Sequence, residues 1–360
     1  MAKCLALVAV AVAFLMPAAA QARARPHLLP LLDEAPFSTS FKDAVIPSAR
    51  HGSPLAHASA TVNFSAFPTS EGYSVGVAVS SAYVTPDPTI EQTYVNFLDG
   101  LPHSSELQDL GVYIAPADEV MSLCGGQPGT LACYDAGSQV MVVPGQQTDV
   151  AADGLTTSYV ITHEYGHHIA NHRADAPFDA FSMGPKYWSS YELVCNRSAQ
   201  GLLVPGNEGE SYDLNPGESW AETYAHMVYR DVRWQLTPLL QPDDGSFAAA
   251  AKDISDLWHA NRVTTFHGSF RRGGTSTKRF QFPLSLDGSL SVRLSGPRKS
   301  NYNLAIACEN GDQGRTHAAG SRDSLSFKAA CRTQQVETVT VTVTRVRGAG
   351  PFSVRVDYAG

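Results

Sequence analysis

Inside the 360-residue sequence there is no run of 18 or more apolar residues, which excludes a membrane span within the chain. Basic residues are scarce over most of it. Residues 21–269 hold 11 Lys/Arg against 28 Asp/Glu, a net of −17, and such a surface repels phosphate backbones, so nucleic acid is excluded as the ligand of this part. There is no internal repeat and no long low-complexity tract. Hydrophobic residues make up 43% and aromatics 9%, so global disorder is excluded as well. The length is too great for one ordinary domain and suits two. Charge supports the division: residues 270–360 hold 14 Lys/Arg against 6 Asp/Glu, a net of +8.

The start of the chain has a distinct texture. Lys3 precedes an apolar run from Cys4 to Met16, followed by Pro17-Ala18-Ala19-Ala20. A charged start, a short apolar stretch and a small-residue site predict a secretory signal peptide over residues 1–20, hence a secreted, extracellular protein. Five cysteines then remain: Cys124, Cys133, Cys195, Cys308 and Cys331. In an oxidising compartment some pair. Cys124 and Cys133 bracket a short turn-rich loop and are expected to bond. Cys308 and Cys331 are plausible partners, which leaves Cys195 as a buried small hydrophobe.

Residues 21–85 read as a leader or prosegment with a possible strand at Val75, Val77 and Val79. From 86 to 262, helical and strand periods mix. Pro86-Asp87-Pro88 opens a helix through Leu98. Strands are expected at Leu110–Ala115 and Gln139–Val143, and helices at Ala117–Leu123, Leu155–Arg173, Glu218–Asp231 and 246–260. Residues 177–215 read as irregular. From 263 to 360, six segments alternate apolar and polar residues between turn signals, such as Leu290/Val292/Leu294 and Val339/Val341/Val343, which predicts an all-β antiparallel sandwich. Cys308 and Cys331 both fall in the inward phase.

Chemistry concentrates at His163-Glu164-Tyr165-Gly166-His167. A helix returns to the same face after four residues, so two imidazoles can share one metal while Glu164 stands beside the water on it. His168 and His172 are turned about 100° away and are expected to face solvent or support the ligands. Zinc needs a third protein ligand. Ala170 and Arg173 stand where a metzincin would carry Gly and His, so that class is excluded. The better source is Asn215-Pro216-Gly217-Glu218-Ser219-Trp220-Ala221-Glu222. Glu218 and Glu222 lie one turn apart on one face. Glu218 is the candidate third ligand, and Glu222 the acceptor for the Nδ1–H of a ligand histidine. A plainer reading makes Asn215 the N-cap and Glu218 its capping-box partner. No cysteine lies between residues 21 and 123, so a leader that blocks a metal through a thiolate is excluded.

HEYGH followed by E-x-x-A-E resembles the gluzincin zinc metallopeptidases. GPKYWSSYELVC and YDLNPGESWAE resemble a group of secreted, uncharacterised actinobacterial proteins of that type. The resemblance covers about residues 86–262. It implies an α+β zincin-like catalytic domain, Zn2+ held by His163, His167 and Glu218, and Glu164 as catalytic base. It also implies Tyr212 as the oxyanion donor, with Tyr224 and His226 as competitors. Residues 263–360 resemble sandwich modules appended to secreted bacterial peptidases.

The expected activity is that of a zinc-dependent endopeptidase on a peptide or protein substrate, working through a zinc-bound water. Gln139–Val143 is expected to offer a sheet edge to extended substrate, with Trp188 and Tyr191 beside the cleft. The alternatives are a non-catalytic secreted binding protein, with a structural metal or none, and an aminopeptidase. The basic C-terminal part could contact an anionic cell surface.

Overall fold

The computed structural model describes residues 25–32, 42–46, 63–125, 129–146, 156–309, 313–317 and 319–360. The signal sequence expected over residues 1–20 lies outside them.

A six-stranded sheet comes first, built from β1 (Lys42–Ile46), β2 (Ser65–Pro68), β3 (Ser74–Val79), β4 (Gly111–Ala115), β5 (Thr130–Asp135) and β6 (Val140–Pro144). The spatial order is β1-β5-β6-β4-β3-β2. Strands β3, β4 and β6 run parallel, while β5 is antiparallel to β6 and β2 to β3. Parallel pairing demands crossovers, and helices α1 (Pro88–Asp99) and α2 (Ala117–Leu123) supply them. Asp87 caps α1 by accepting the Thr89 N–H at 2.9 Å, with Pro88 in the first turn. The parallel strands bury both faces, as at Val112, Ile114, Met141, Val142 and Val143.

One expectation is corrected here. β6 is interior, paired on one side with β4 and on the other with β5, so it offers no edge to a substrate. Strand order depends on which segments meet in space, and a single strand's periodicity does not carry it. Residues 74–79, inside the stretch read as a leader or prosegment, form β3 and pair with β4 in this sheet. Leu28 and Leu31 are buried in the same core, and β1 runs parallel to β5 on its outer side.

Helix α3 (Thr157–Asn171) packs against β5 and β6, and α7 (Pro216–Val228) packs against α3. The stretch between them, expected to be irregular, holds short helices α4 (Ala180–Met183), α5 (Lys186–Tyr191) and α6 (Val194–Ala199). Helix α8 (Asp244–Ser255) starts at a capping box between Asp243 and Ser246.

The rest of the chain forms two four-stranded antiparallel sheets from β7 (Arg262–Phe270), β8 (Thr277–Leu284), β9 (Gly288–Ser295), β10 (Asn301–Cys308), β11 (Gln313–Arg315), β12 (Arg322–Ala330), β13 (Glu337–Arg347) and β14 (Gly350–Tyr358). Their orders are β11-β10-β13-β8 and β12-β9-β14-β7. Alternate residues of facing strands, among them Val292, Leu304, Val341 and Val354, bury a continuous apolar core.

Cys124 and Cys133 are bonded, as expected. The second disulfide joins Cys195 to Cys331 and corrects both the Cys308–Cys331 pairing and the solitary Cys195. The cause is a register shift in β12 between Phe327 and Ala330. It turns Ala330 into the core and carries Cys331 out of phase with Cys308, which is buried in the sandwich.

That disulfide fastens the sandwich to the α/β body, and buried polar contacts surround it. Lys186 Nζ, fully buried on α5, donates to the carbonyl of Asp287 at 2.9 Å and pairs with Asp175 at 2.5 Å. Arg332 pairs with Asp287 at 3.1 Å, and the Asp287 N–H donates to Ser190 Oγ at 2.9 Å. Trp258, Leu286 and Ala359 close the joint.

Candidate metal centre

Helix α3 begins where Thr156 Oγ1 accepts the Tyr159 N–H at 3.2 Å. Its fifteen residues are buried almost throughout, including every ionisable group from His163 to His168. Helix α7 begins at Asn215, whose Oδ1 accepts the Gly217 N–H at 3.1 Å. The Asn215 N–H donates to the Tyr212 carbonyl, not to Glu218, so Glu218 does not complete a capping box. Its carboxylate is free to serve elsewhere.

The two helices cross at Gly166 and Ala221. A Cβ on residue 166 would stand 2.8 Å from Ala221 Cα, so only glycine permits the approach. Trp220 Nε1 donates to the Gly166 carbonyl at 2.8 Å and pins the crossing. The small residues inside both motifs therefore set the distance between the helices, and through it the distance between their polar side chains.

At this crossing Glu218 Oε2 lies 3.4 Å from His163 Nε2 and 3.4 Å from His167 Nε2. All three ligand atoms fall within 4.8 Å of one another. Two ligands bonded tetrahedrally at about 2.0–2.1 Å from a common ion stand roughly 3.4 Å apart, so the spacing matches an edge of that polyhedron. Glu218 is wholly buried, and neither of its carboxylate oxygens has a hydrogen-bond partner among the described residues. A bare carboxylate in such a place is costly unless a cation meets it. The residues fit a metal ion, and the two-nitrogen, one-oxygen donor set leaves room for a fourth ligand. Glu164, one residue after His163, is also fully buried.

Glu222 stands behind His163. Its Oε2 lies 3.0 Å from His163 Nδ1, and its Oε1 accepts the Tyr159 hydroxyl at 2.6 Å. This holds the ring so that Nε2 points at Glu218. No sequence signal marks Tyr159 for this role. It precedes His163 by four residues on the same face, a spacing that an ordinary core tyrosine shares. Phe181 of α4 packs edge-on to His167, with ring centroids 6.0 Å apart.

The rear of α3 is fixed by a second set of contacts. His168 is fully buried, with Nδ1 2.9 Å from the Tyr134 hydroxyl and Nε2 2.8 Å from the Glu106 carbonyl, which corrects the expectation that it faces solvent. Burial pushes its pKa down to about 4, so the ring is neutral, with Nδ1 accepting a hydrogen bond from the Tyr134 hydroxyl and Nε2–H donating one to the Glu106 carbonyl. Burial raises the Glu106 carboxyl, but Arg173, 3.0 Å away, and backbone donors outweigh it and hold the group below the usual carboxylate range.

Tyr224 donates to the Pro102 carbonyl at 2.7 Å. Both ring nitrogens of His226 face carbonyls, of Glu222 at 2.9 Å and Val232 at 3.1 Å. Tyr212 is buried in a 3-10 turn just ahead of α7. Trp188 is core, packed against Trp220, and Tyr191 bonds Asp243 at 3.1 Å.

No family model matches the chain, and no curated protein matches it. Similarity to solved structures covers about a quarter of the chain. The pre-peptidase C-terminal domain of a collagenase from Bacillus anthracis is 18% identical, over 26% of this chain and 87% of that one, with a TM-score of 0.23. A Yersinia pseudotuberculosis-derived mitogen is 9% identical, over 27% and 86%, with a TM-score of 0.22. The VP2 subviral particle of infectious bursal disease virus is 12% identical, over 29% and 34%, with a TM-score of 0.19. At such values the likenesses carry no argument about this chain.

Proposed function

We propose that the protein is a secreted zinc-dependent endopeptidase with a zincin-like catalytic part over residues 86–262 and an appended sandwich over 263–360. The observation that carries the reading is the position of Glu218 Oε2, equally spaced from two imidazole nitrogens of a neighbouring helix. Two disulfides agree with an oxidising compartment. Among the described residues no helix is long and apolar enough to cross a membrane.

In this reading His163, His167 and Glu218 hold the ion. When bound, zinc supplies a Lewis acid for the scissile carbonyl and lowers the pKa of a water towards about 7. Glu164 accepts the proton of the attacking water and returns it to the leaving amine. Glu222 keeps His163 in the tautomer whose Nε2 lone pair faces the ion. Tyr212 is assigned to the oxyanion that forms at the attacked carbonyl.

The test is proteolysis of a denatured protein by the mature chain, with bound zinc measured in parallel. Glu164→Gln is expected to lose about 10²–10⁴-fold in rate while retaining one zinc per chain. Full activity in that variant removes Glu164 from the mechanism. A wild-type chain that binds zinc tightly and cleaves nothing is a binding protein with a structural metal.

A further inference from the structure

The sandwich carries a second polar feature, on the solvent face of the sheet β11-β10-β13-β8. Its register aligns one row across four strands: Arg315 opposite Ala305, Ala305 opposite Thr342, and Thr342 opposite Arg279. The intervening residues Leu304, Ile306, Val341 and Val343 are buried, so this row points outward. Ala305 and Thr342 make a low floor between two long side chains. Three strand spacings separate the arginine backbones by about 14 Å. The resulting cleft holds about 430 Å³. Asn303 lies in the neighbouring row, opposite Thr344.

Three properties define what would fill it. The cleft is basic: no acidic residue lines it, and neither arginine has an ion-pair partner among the described residues. The nearby carboxylate of Asp323 is taken by the Thr316 hydroxyl and the Ser324 N–H. The Asn303 Oδ1 is a buried acceptor without a hydrogen-bond partner, so it calls for a donor. No Phe, Tyr or Trp lines the cleft, and the one ring among its lining residues is the exposed imidazole of His317, so a base or a sugar ring finds no broad platform to stack on. An occupant therefore carries anionic groups that suit guanidinium forks, hydroxyl donors, and no need of ring stacking.

We propose that this cleft binds a polyol-phosphate polymer, with Arg279 and Arg315 each holding a phosphodiester and Asn303 accepting a polyol hydroxyl. The module then fastens the body to an anionic matrix, independently of any catalysis. Electrostatics alone would also draw such a polymer to the +8 sandwich at large, so the test must separate site from field.

The probe is poly(glycerol phosphate), titrated against the full mature chain at several salt concentrations. Removing both arginines, Arg279→Ala with Arg315→Ala, is expected to weaken binding at least tenfold and to flatten the salt dependence. Arg293→Ala with Arg355→Ala removes the same charge from the other sheet's outer face and is expected to change affinity less than threefold. Asn303→Leu is expected to weaken binding several-fold with the salt dependence unchanged. Equal losses from the two arginine pairs would mean diffuse attraction and overturn the site. So would an Asn303→Leu variant that binds normally, or polyglutamate, heparin or duplex DNA binding as tightly as the polyol phosphate. An unchanged unfolding midpoint certifies that each variant is folded. Binding is read without cleavage, so failure of the peptidase reading leaves this result intact.

Discussion

The helix pair of the body and the interior of the sandwich solve burial in opposite ways. Helices α3 and α7 bury His163, Glu164, His167, His168, Glu218, Glu222 and His226 within two crossing elements. The sandwich interior is aliphatic and aromatic. Of its buried ionisable groups, Asp287 and Arg332 lie at the joint with the body, and Glu337 sits at the first residue of β13. Buried charge costs free energy unless it is paired, hydrogen-bonded or bound to metal. Where a fold concentrates it beside a well-packed apolar alternative, the polar region is built for chemistry and the apolar one for packing. Any function of the sandwich must then sit on its outside.

The sharpest test of that contrast is a pair of substitutions with opposite signs. Leu304→Ala, in the middle of β10, is expected to destabilise the protein by about 2–5 kcal/mol and to leave zinc affinity unchanged. Glu218→Met, in the metal-free protein at a pH where both ligand histidines are neutral, is expected to stabilise by about 1–4 kcal/mol, because a buried carboxylate without a hydrogen-bond partner is exchanged for an apolar chain of similar volume. The same variant should lose stoichiometric zinc. Denaturant unfolding with and without chelator reads both. A metal-free Glu218→Met protein less stable than wild type would mean that Glu218 is structural, and the contrast would fail.

The pH dependence of stability probes the cost of burial at a site away from the metal ligands. Asp253, on α8, is pushed up to about 7 by burial, against backbone donation from Tyr187 and Trp188 at 2.9 and 2.8 Å. Its folded pKa is raised, so the folded state holds a proton that the unfolded chain releases near pH 3.8. The stabilising proton is fully present below pH 3.8, and its contribution is lost as pH rises to about 7. Over that window wild type should lose up to about 4 kcal/mol relative to Asp253→Asn, whose side chain does not titrate. Parallel unfolding curves for the two proteins between pH 4 and 7 would show that the carboxyl is not protonated when folded.

Much of this arrangement could be read from residue spacing. Two i, i+4 pairs, His163/His167 and Glu218/Glu222, each fix a face of their own helix, and the structure brings those faces together. Helix ends were legible where caps are chemical, as at Asp87-Pro88 and Asn215-Pro216. What stayed hidden depends on the third dimension. Gly166 and Ala221 look like filler until the helices cross. The interior place of β6 is a fact of strand order, and β5 escaped notice behind a turn-rich disulfide loop. A register shift in β12 changed a disulfide partner. An amphipathic helix would turn His168 to solvent or behind the ligands, whereas the sheet covers that side.

The smallest expected effect concerns the charge that touches no metal. Glu222 accepts from both Tyr159 and His163 through its two oxygens. Glu222→Gln keeps the shape but has one oxygen to offer, so its amide nitrogen must face one of the two former donors. Tyr159 can turn its hydroxyl and accept; His163 can do so only by moving its proton to Nε2, which would face the ion. The variant should therefore keep Gln Oε1 on His163 and lose mainly the negative charge that raises the ring's basicity. A 10–100-fold fall in zinc affinity is expected, with rate at saturating zinc changed less. Tyr159→Phe leaves the carboxylate intact and should cost less than Glu222→Gln. Glu337→Gln, the matching change at a buried carboxylate of the sandwich, should leave zinc affinity untouched. If competition titration with a chelator gives Glu222→Gln the affinity of wild type, the carboxylate serves only to join two helices. The line between chemistry and packing would then run inside the helix pair, between Glu218 and Glu222, rather than between the body and the sandwich.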